Sequence, residues 1–391
     1  MSKDSDKPNN KILPFVKKPK FYKPFSKAER EEHKQTLYKW RDLIDRGKLE
    51  EAKKLMQKRP EYVANLGESL LWYLFCLFEA RYFRAVGDKK AFDNVMFFLG
   101  NVAPEFDDEY SFYYYRLVGF REYDARRYKT ALKALNEAEA VGAPDWFDVG
   151  YYLNYGRCLS DMGFTEKAAE YFNKAKNKAQ ESKNYIYDMY IQCFLAYDYI
   201  KMGKCVDALE CLRACSIMQK IRNSDDASTG FMYLTYGLVY HNMNIYDHAI
   251  EYYETAFRYY TEGSAPYART LYNYASALIT IGRVDEGVAS INRGFSLLES
   301  EAEWSGVWEA LYDALKHSAL LSIPESLEHM KNNAIPKLLD FGQYEEAANS
   351  CEQVSEFYEN AGDTVQALEH SKLAIKIYKK YLNDRVKGVT T

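Results

Sequence analysis

Two sets of side chains in this 391-residue sequence have types and spacings that could do chemistry. The first suggests metal ligation. Cys211 and Cys215 stand four residues apart, which puts both thiols on one face of a helix, and His241 and His248 follow. Cys215 also occupies a position that a repeat, described below, reserves for a small packed side chain, so no metal and no cofactor is expected there. No glycine-rich phosphate loop and no Ser/His/Asp grouping stands in the sequence, and Glu299, Glu301 and Glu303 fit a solvated turn. No catalytic residue is expected, and the chain is not expected to be an enzyme.

The second set suits recognition of an extended peptide. The side-chain amides of Asn154, Asn242 and Asn273 each offer a donor and an acceptor, as a peptide backbone does. Arg116, Arg157 and Arg269 carry forked cations that match a carboxylate. Tyr197 and Tyr272 supply aromatic walls and Thr235 a hydroxyl. Each of these nine could equally be ordinary solvated surface. The return of asparagine at one repeat position, in Asn154 and Asn273, is what favours recognition.

The elements that must position them follow from a grid of small residues. A window with small side chains at positions 8, 20 and 27 fits at Gly119/Ala131/Ala138, Gly156/Ala168/Ala175 and Ala196/Ala208/Cys215. It fits again at Gly237/Ala249/Ala256, Ala275/Gly287/Gly294 and Ser355/Ala367/Ala374. Two helices of a hairpin cross closely at positions 8 and 20, and the second helix meets the next repeat at 27. This spacing predicts an all-α stack of tetratricopeptide hairpins, a right-handed superhelical solenoid. Position 20 recurs at residues 131, 168, 208, 249 and 287, steps longer than the ordinary repeat of about 34 residues. In such a stack the first helix of each hairpin lines the concave face, and the nine residues above fall on its inward positions. None of the repeats pairs Lys or Arg with Asn in the way that clamps a chaperone C-terminus.

Five segments are expected. Residues 1–30 hold Pro8, Pro14, Pro19 and Pro24, with nine cations against three anions, a net +6 that leaves −10 of the chain's −4 total for the remainder. Such a composition predicts a flexible basic arm, whose aromatics Phe15, Phe21, Tyr22 and Phe25 could dock on the acidic body. Degenerate helical pairs are expected over 31–110, regular repeats over 111–298, degenerate and capping repeats over 299–383, and a polar tail over 384–391. Seven unpatterned cysteines and the absence of an apolar leader or span point to a cytoplasmic protein. The 36 tyrosines are expected mainly to fill space between stacked helices, with some lining a groove.

Long repeats, tyrosine-rich first helices and the recurring asparagine together resemble the Rap, NprR and PlcR family of peptide-pheromone receptors of Gram-positive bacteria and their phages. The resemblance is carried by Phe112–Ala140 (FYYYRLVGFREYDARRYKTALKALNEAEA), by Arg269-Thr270-Leu271-Tyr272-Asn273 and by the run from Tyr344 to Lys380. It covers roughly residues 35–385. It implies a receptor for a short imported peptide, in which Asn273 grips the peptide backbone and Asn154 holds the equivalent place in an earlier repeat. Peptide binding would then change the affinity for a protein effector, a response regulator or a transcription factor, with a homodimer possible. The N-terminus departs from the family. Only the proline-rich arm precedes Trp40, so no helix-turn-helix and no direct nucleic-acid contact is expected. Gln35 and Gln57 lie where phosphatase-assisting members carry a glutamine, but their surroundings do not match. A constitutive scaffold that binds a protein partner without a peptide signal is the alternative.

Overall fold

A computed structural model describes residues 25–57, 70–125, 127–142, 148–222, 227–298 and 305–387. These residues form two compact units, 1–158 and 159–391. The first holds α1 (Lys27–Asp45), α2 (Leu49–Gln57), α3 (Leu70–Val86), α4 (Lys89–Val102), α5 (Asp108–Asp124), α6 (Tyr128–Val141) and most of α7 (Val149–Asp161). The second runs through α8 (Thr165–Glu181), α9 (Tyr185–Lys201), α10 (Cys205–Arg222), α11 (Ala227–Asn242), α12 (Tyr246–Phe257), α13 (Ala265–Thr280) and α14 (Val284–Leu297). It ends with α15 (Ser305–Ala319), α16 (Pro324–His329), α17 (Ile335–Asp340), α18 (Tyr344–Asn360) and α19 (Thr364–Lys387). A π-turn, Met330–Ala334, links α16 to α17.

The helix starts follow from capping chemistry. Ser26 and Glu29 form a reciprocal capping box, so α1 begins at Lys27, inside the segment expected to be a flexible arm. The rest of that arm, with Phe15, Phe21 and Tyr22, lies outside the described residues, as does the tail beyond Lys387. Asp88 and Asp107 accept from the amides of Ala91 and Tyr110 at 2.9 and 3.0 Å and start α4 and α5. Inside the regular hairpins the first helix closes on a left-handed residue. Gly203 (φ +71°) and Asn244 (φ +60°) are two examples. After each, the next amide reaches back across the turn, Lys204 N to Tyr199 O and Ile245 N to Tyr240 O, both at 2.8 Å.

The small-residue grid is the packing seam. Ala131, Ala138, Ala168, Ala175, Ala196, Ala208, Cys215, Ala249, Ala256 and Ala275 are fully buried. A methyl group placed on Gly119 would meet Leu135 Cγ at 2.7 Å, and one on Gly237 would meet Tyr253 Cε1 at 2.3 Å. Large residues then fill what the close crossings leave. Between α11 and α12 the Tyr252 ring stacks on Tyr236 and Tyr240 at centroid distances of 4.9 and 5.3 Å. Two buried tyrosines bond their hydroxyls to backbone carbonyls: Tyr312 Oη donates to Ala268 O at 2.8 Å and Tyr151 Oη to Leu135 O at 3.2 Å. Most tyrosines placed this way are packing groups. In the degenerate region, Pro324 opens α16, and Val307, Leu311, Met330 and Leu338 join one apolar cluster with α18 and α19. Among the described residues no helix is long and apolar enough to cross a membrane.

Candidate functional site

The clearest cluster of cations, ring and amide among the candidates lies in the second unit, on α9 and α13. The Tyr197 ring carries two cations, Arg269 Cζ at 4.9 Å and Lys201 Nζ at 4.6 Å from its centroid. Among the described residues no carboxylate pairs with the Arg269 guanidinium, so its fork is free to take one from a ligand. Burial opposes the charge on Lys201, but Tyr197 and the carboxylates of Asp161, Asp198 and Glu345 outweigh it and raise the lysine above its ordinary value. Glu346, on α18, is raised by burial, and its charge in turn bears on Tyr272. Tyr272 packs against Trp308 and Tyr312, with centroids 6.1 and 6.3 Å away.

One helical turn beyond Arg269, Asn273 is half-buried, and its Nδ2 donates to Arg269 O at 2.8 Å. That bond orients the amide and leaves Oδ1 and the second N–H for a partner. Asn154 makes the matching bond, Nδ2 to Gly150 O at 2.7 Å, so the two asparagines at the same repeat position share one local geometry. In the first unit Asn154 is buried, and its Oδ1 has no hydrogen-bond partner. Arg157, half-buried, lies 4.5 Å over the Tyr123 ring.

Three of the nine sequence candidates, Asn154, Thr235 and Arg116, are interior residues in this structure. Thr235 is fully buried, with Oγ1 donating to Phe231 O at 2.7 Å, because its turn of α11 faces the packed side of the hairpin. Arg116 is 2% exposed and pairs with Asp148 at 2.7 Å; its role is to bind the first unit together. Asn242 is exposed at the end of α11 and accepts from Cys205 Sγ at 3.4 Å. The sequence reading missed Lys201, although it sits in the same inward repeat position as Asn242 and Asp161. It also missed Glu346, which follows a degenerate pair where the register is lost. The Cys211, Cys215, His241 and His248 set does not converge. Cys215 contacts Cys193 Sγ at 3.7 Å in the core, while His241 turns to Tyr253 and His248 to Glu251.

Behind the Tyr197 face, Asp198 is fully buried. Its Oδ1 accepts from Ser160 Oγ at 2.5 Å, and Oδ2 has no partner. Burial pushes this carboxyl up to about 6, against the pull of Ser160 and Lys201. The folded state therefore holds a proton that the unfolded chain releases near pH ~4, and the carboxylate costs stability as pH rises through about 6. Asp198→Asn keeps the acceptor for Ser160 and removes the charge. It is expected to stabilise the protein by about 1–3 kcal/mol at pH 7.5 and by little at pH ~4. Urea midpoints at the two pH values check this, and a gain that does not grow with pH would contradict it.

These features define a tetratricopeptide-repeat protein whose first helices carry the Tyr197, Arg269 and Asn273 cluster. The family model described as tetratricopeptide repeat matches residues 149–177 and 232–261. The fold is that of a Rap protein and of NprR. A Rap protein complexed with competence and sporulation factor superposes with a TM-score of 0.76 at 16% identity, covering 90% of this chain and 99% of that one. NprR in complex with its cognate peptide NprX gives 0.72 at 17% identity, covering 89% and 98%. In sequence, the transcriptional activator NprA of Geobacillus stearothermophilus is 21% identical over 343 residues, 81% of this chain and 80% of that protein.

Proposed function

We propose that this chain is a cytoplasmic receptor for a short linear peptide and regulates a protein effector through a change of conformation. The carrying observation is the Tyr197 ring with Arg269 and Lys201 on it, one helical turn from the oriented amide of Asn273. Two cations on an aromatic wall suit a peptide carboxylate, and the amide suits a backbone N–H and C=O. The shared fold with NprR, solved with a peptide bound, supports the same reading. Arg157, Asn242 and Tyr272 are further contact candidates, whereas Asn154, Arg116 and Thr235 are buried. The effector is a response regulator or a transcription factor, engaged by protein contact and without a catalytic step by this chain.

Calorimetric titration with short synthetic peptides, taken from the C-termini of neighbouring small reading frames, tests this. Saturable binding is expected, weakened about 10- to 100-fold by Asn273→Ala and by Arg269→Ala. If no peptide binds the folded protein, the receptor reading fails and a constitutive scaffold replaces it.

A further inference from the structure

Away from the recognition face, three side chains that could bind a metal converge in the second unit. Asp313 and His317 stand one turn apart on α15, which puts both on the same face of that helix. His329 is the last residue of α16, where the chain enters the π-turn. His329 Nε2 lies 2.9 Å from Asp313 Oδ2, and His317 Nε2 lies 3.6 Å from Asp313 Oδ1. The two imidazole rings stack with centroids 4.0 Å apart and planes at 26°. One donor atom from each of the three lies within 4.8 Å of the others.

We propose that Asp313, His317 and His329 form a binding site for a divalent transition cation of the zinc type, which ties α15 to the end of α16. Two imidazoles and one carboxylate are the ligand set of open zinc sites, in which water completes the coordination. Calcium and magnesium prefer all-oxygen ligands, and monovalent copper prefers sulfur. In a tetrahedral site with zinc–ligand bonds of about 2.0–2.1 Å, neighbouring ligands stand roughly 3.3 Å apart, so small side-chain rotations would close this group. The exposures fit an open site, with the Asp313 and His317 side chains at 19% and His329 at 36%.

One observation favours a ligand over a closed hydrogen-bond triad. His317 Nδ1 is buried and has no hydrogen-bond partner, so the protein alone does not satisfy this ring. A metal here would hold the ends of a 13-residue span, 317–329, across the turn that breaks the regular repeats. This inference does not depend on the peptide reading and replaces the sequence expectation of no metal.

The test is titration of the EDTA-stripped full-length protein with zinc chloride by calorimetry at pH 7.5. A phosphine reductant, which does not compete for zinc, keeps the seven cysteines reduced. Cobalt(II) is added in parallel to read the coordination geometry from its visible absorption. One equivalent is expected to bind, with affinity lowered at least about 10-fold in both His329→Ala and Asp313→Asn. His329 is the most exposed of the three, so its variant is the least disturbing to the fold, and circular dichroism verifies that. Absence of saturable binding overturns the proposal. So does one-equivalent binding that survives in both folded variants, because the metal would then sit elsewhere, for example on the cysteines.

Discussion

Arg116→Ala is expected to destabilise the first unit by about 3–5 kcal/mol, because it leaves a carboxylate in a recess built for a charge pair. Arg116 pairs with Asp148 at 2.7 Å, and Asp148 also meets Arg81 at 3.3 Å, while Arg81 reaches on to Asp45. Asp148 additionally accepts the Tyr151 amide at 2.8 Å, so the same carboxylate starts α7. Burial alone would raise Asp148, but Arg116, Arg81 and the Tyr151 amide outweigh it and hold it well below the usual carboxylate range. A depressed carboxylate contributes stability above its unfolded pKa, and that contribution is lost as pH falls through the folded value. Removing Arg116 therefore does two things at once. It lowers the urea midpoint at pH 7, and it moves acid unfolding to higher pH, because Asp148 is then protonated sooner. Arg81 and Tyr151 remain, which places the loss nearer the lower end of the range. Arg116→Met, which refills the volume, is expected to cost less than Arg116→Ala while keeping the shift in acid unfolding. Urea and acid titrations followed by circular dichroism check both. An Arg116→Ala midpoint equal to wild type would show that the pair adds nothing to stability.

The same residue shows where the sequence was legible and where it was not. The repeat grid depends on periodicity and residue size alone, and the seam residues Ala168, Ala208 and Ala249 are buried where the window put them. The recurring asparagine was legible for the same reason: Asn154 and Asn273 share one bond geometry because they share one position in the hairpin. Arg116 shares the inward side of the hairpin pattern with Arg269, yet one is buried in an ion network and the other, half-buried, stacks on Tyr197. What separates them is Asp148, 32 residues further on, and no helical period encodes that pairing. Thr235 is buried despite its inward position, because small polar residues serve either face of a tight hairpin. The Asp313, His317 and His329 group was hidden differently. Only Asp313 and His317 have a helical spacing, and His329 joins them through a turn whose course depends on Pro324 and the π-turn. The start of α1 was legible but overlooked, since Ser26 and Glu29 have the spacing of a capping box.

Gly237→Leu is expected to cost about 3 kcal/mol or more, while Gly100→Ala is expected to gain about 0.5–1 kcal/mol. Both glycines lie inside helices, so intrinsic propensity favours replacing either one. They differ in what the new side chain meets. At Gly237 the first added carbon would stand 2.3 Å from Tyr253 Cε1 and 2.5 Å from Cδ1, well inside van der Waals contact. Tyr253 has no room to give way. It is fully buried, and its hydroxyl lies 3.4 Å from His241 Nδ1. The α11–α12 crossing must therefore open, and the cost of overpacking exceeds the propensity gain. At Gly100 the nearest atom is Tyr114 Oη at 3.4 Å, an ordinary contact at an exposed position, so the propensity term wins. Each repeat packs only on its neighbours, so the Gly237→Leu loss should begin in the hairpin of α11 and α12. Amide hydrogen exchange is expected to show lost protection there first, with α18 and α19 changed last. Equal urea midpoints for Gly237→Leu and wild type would mean that this seam tolerates bulk, and the small-residue grid would then lose its physical basis at that crossing.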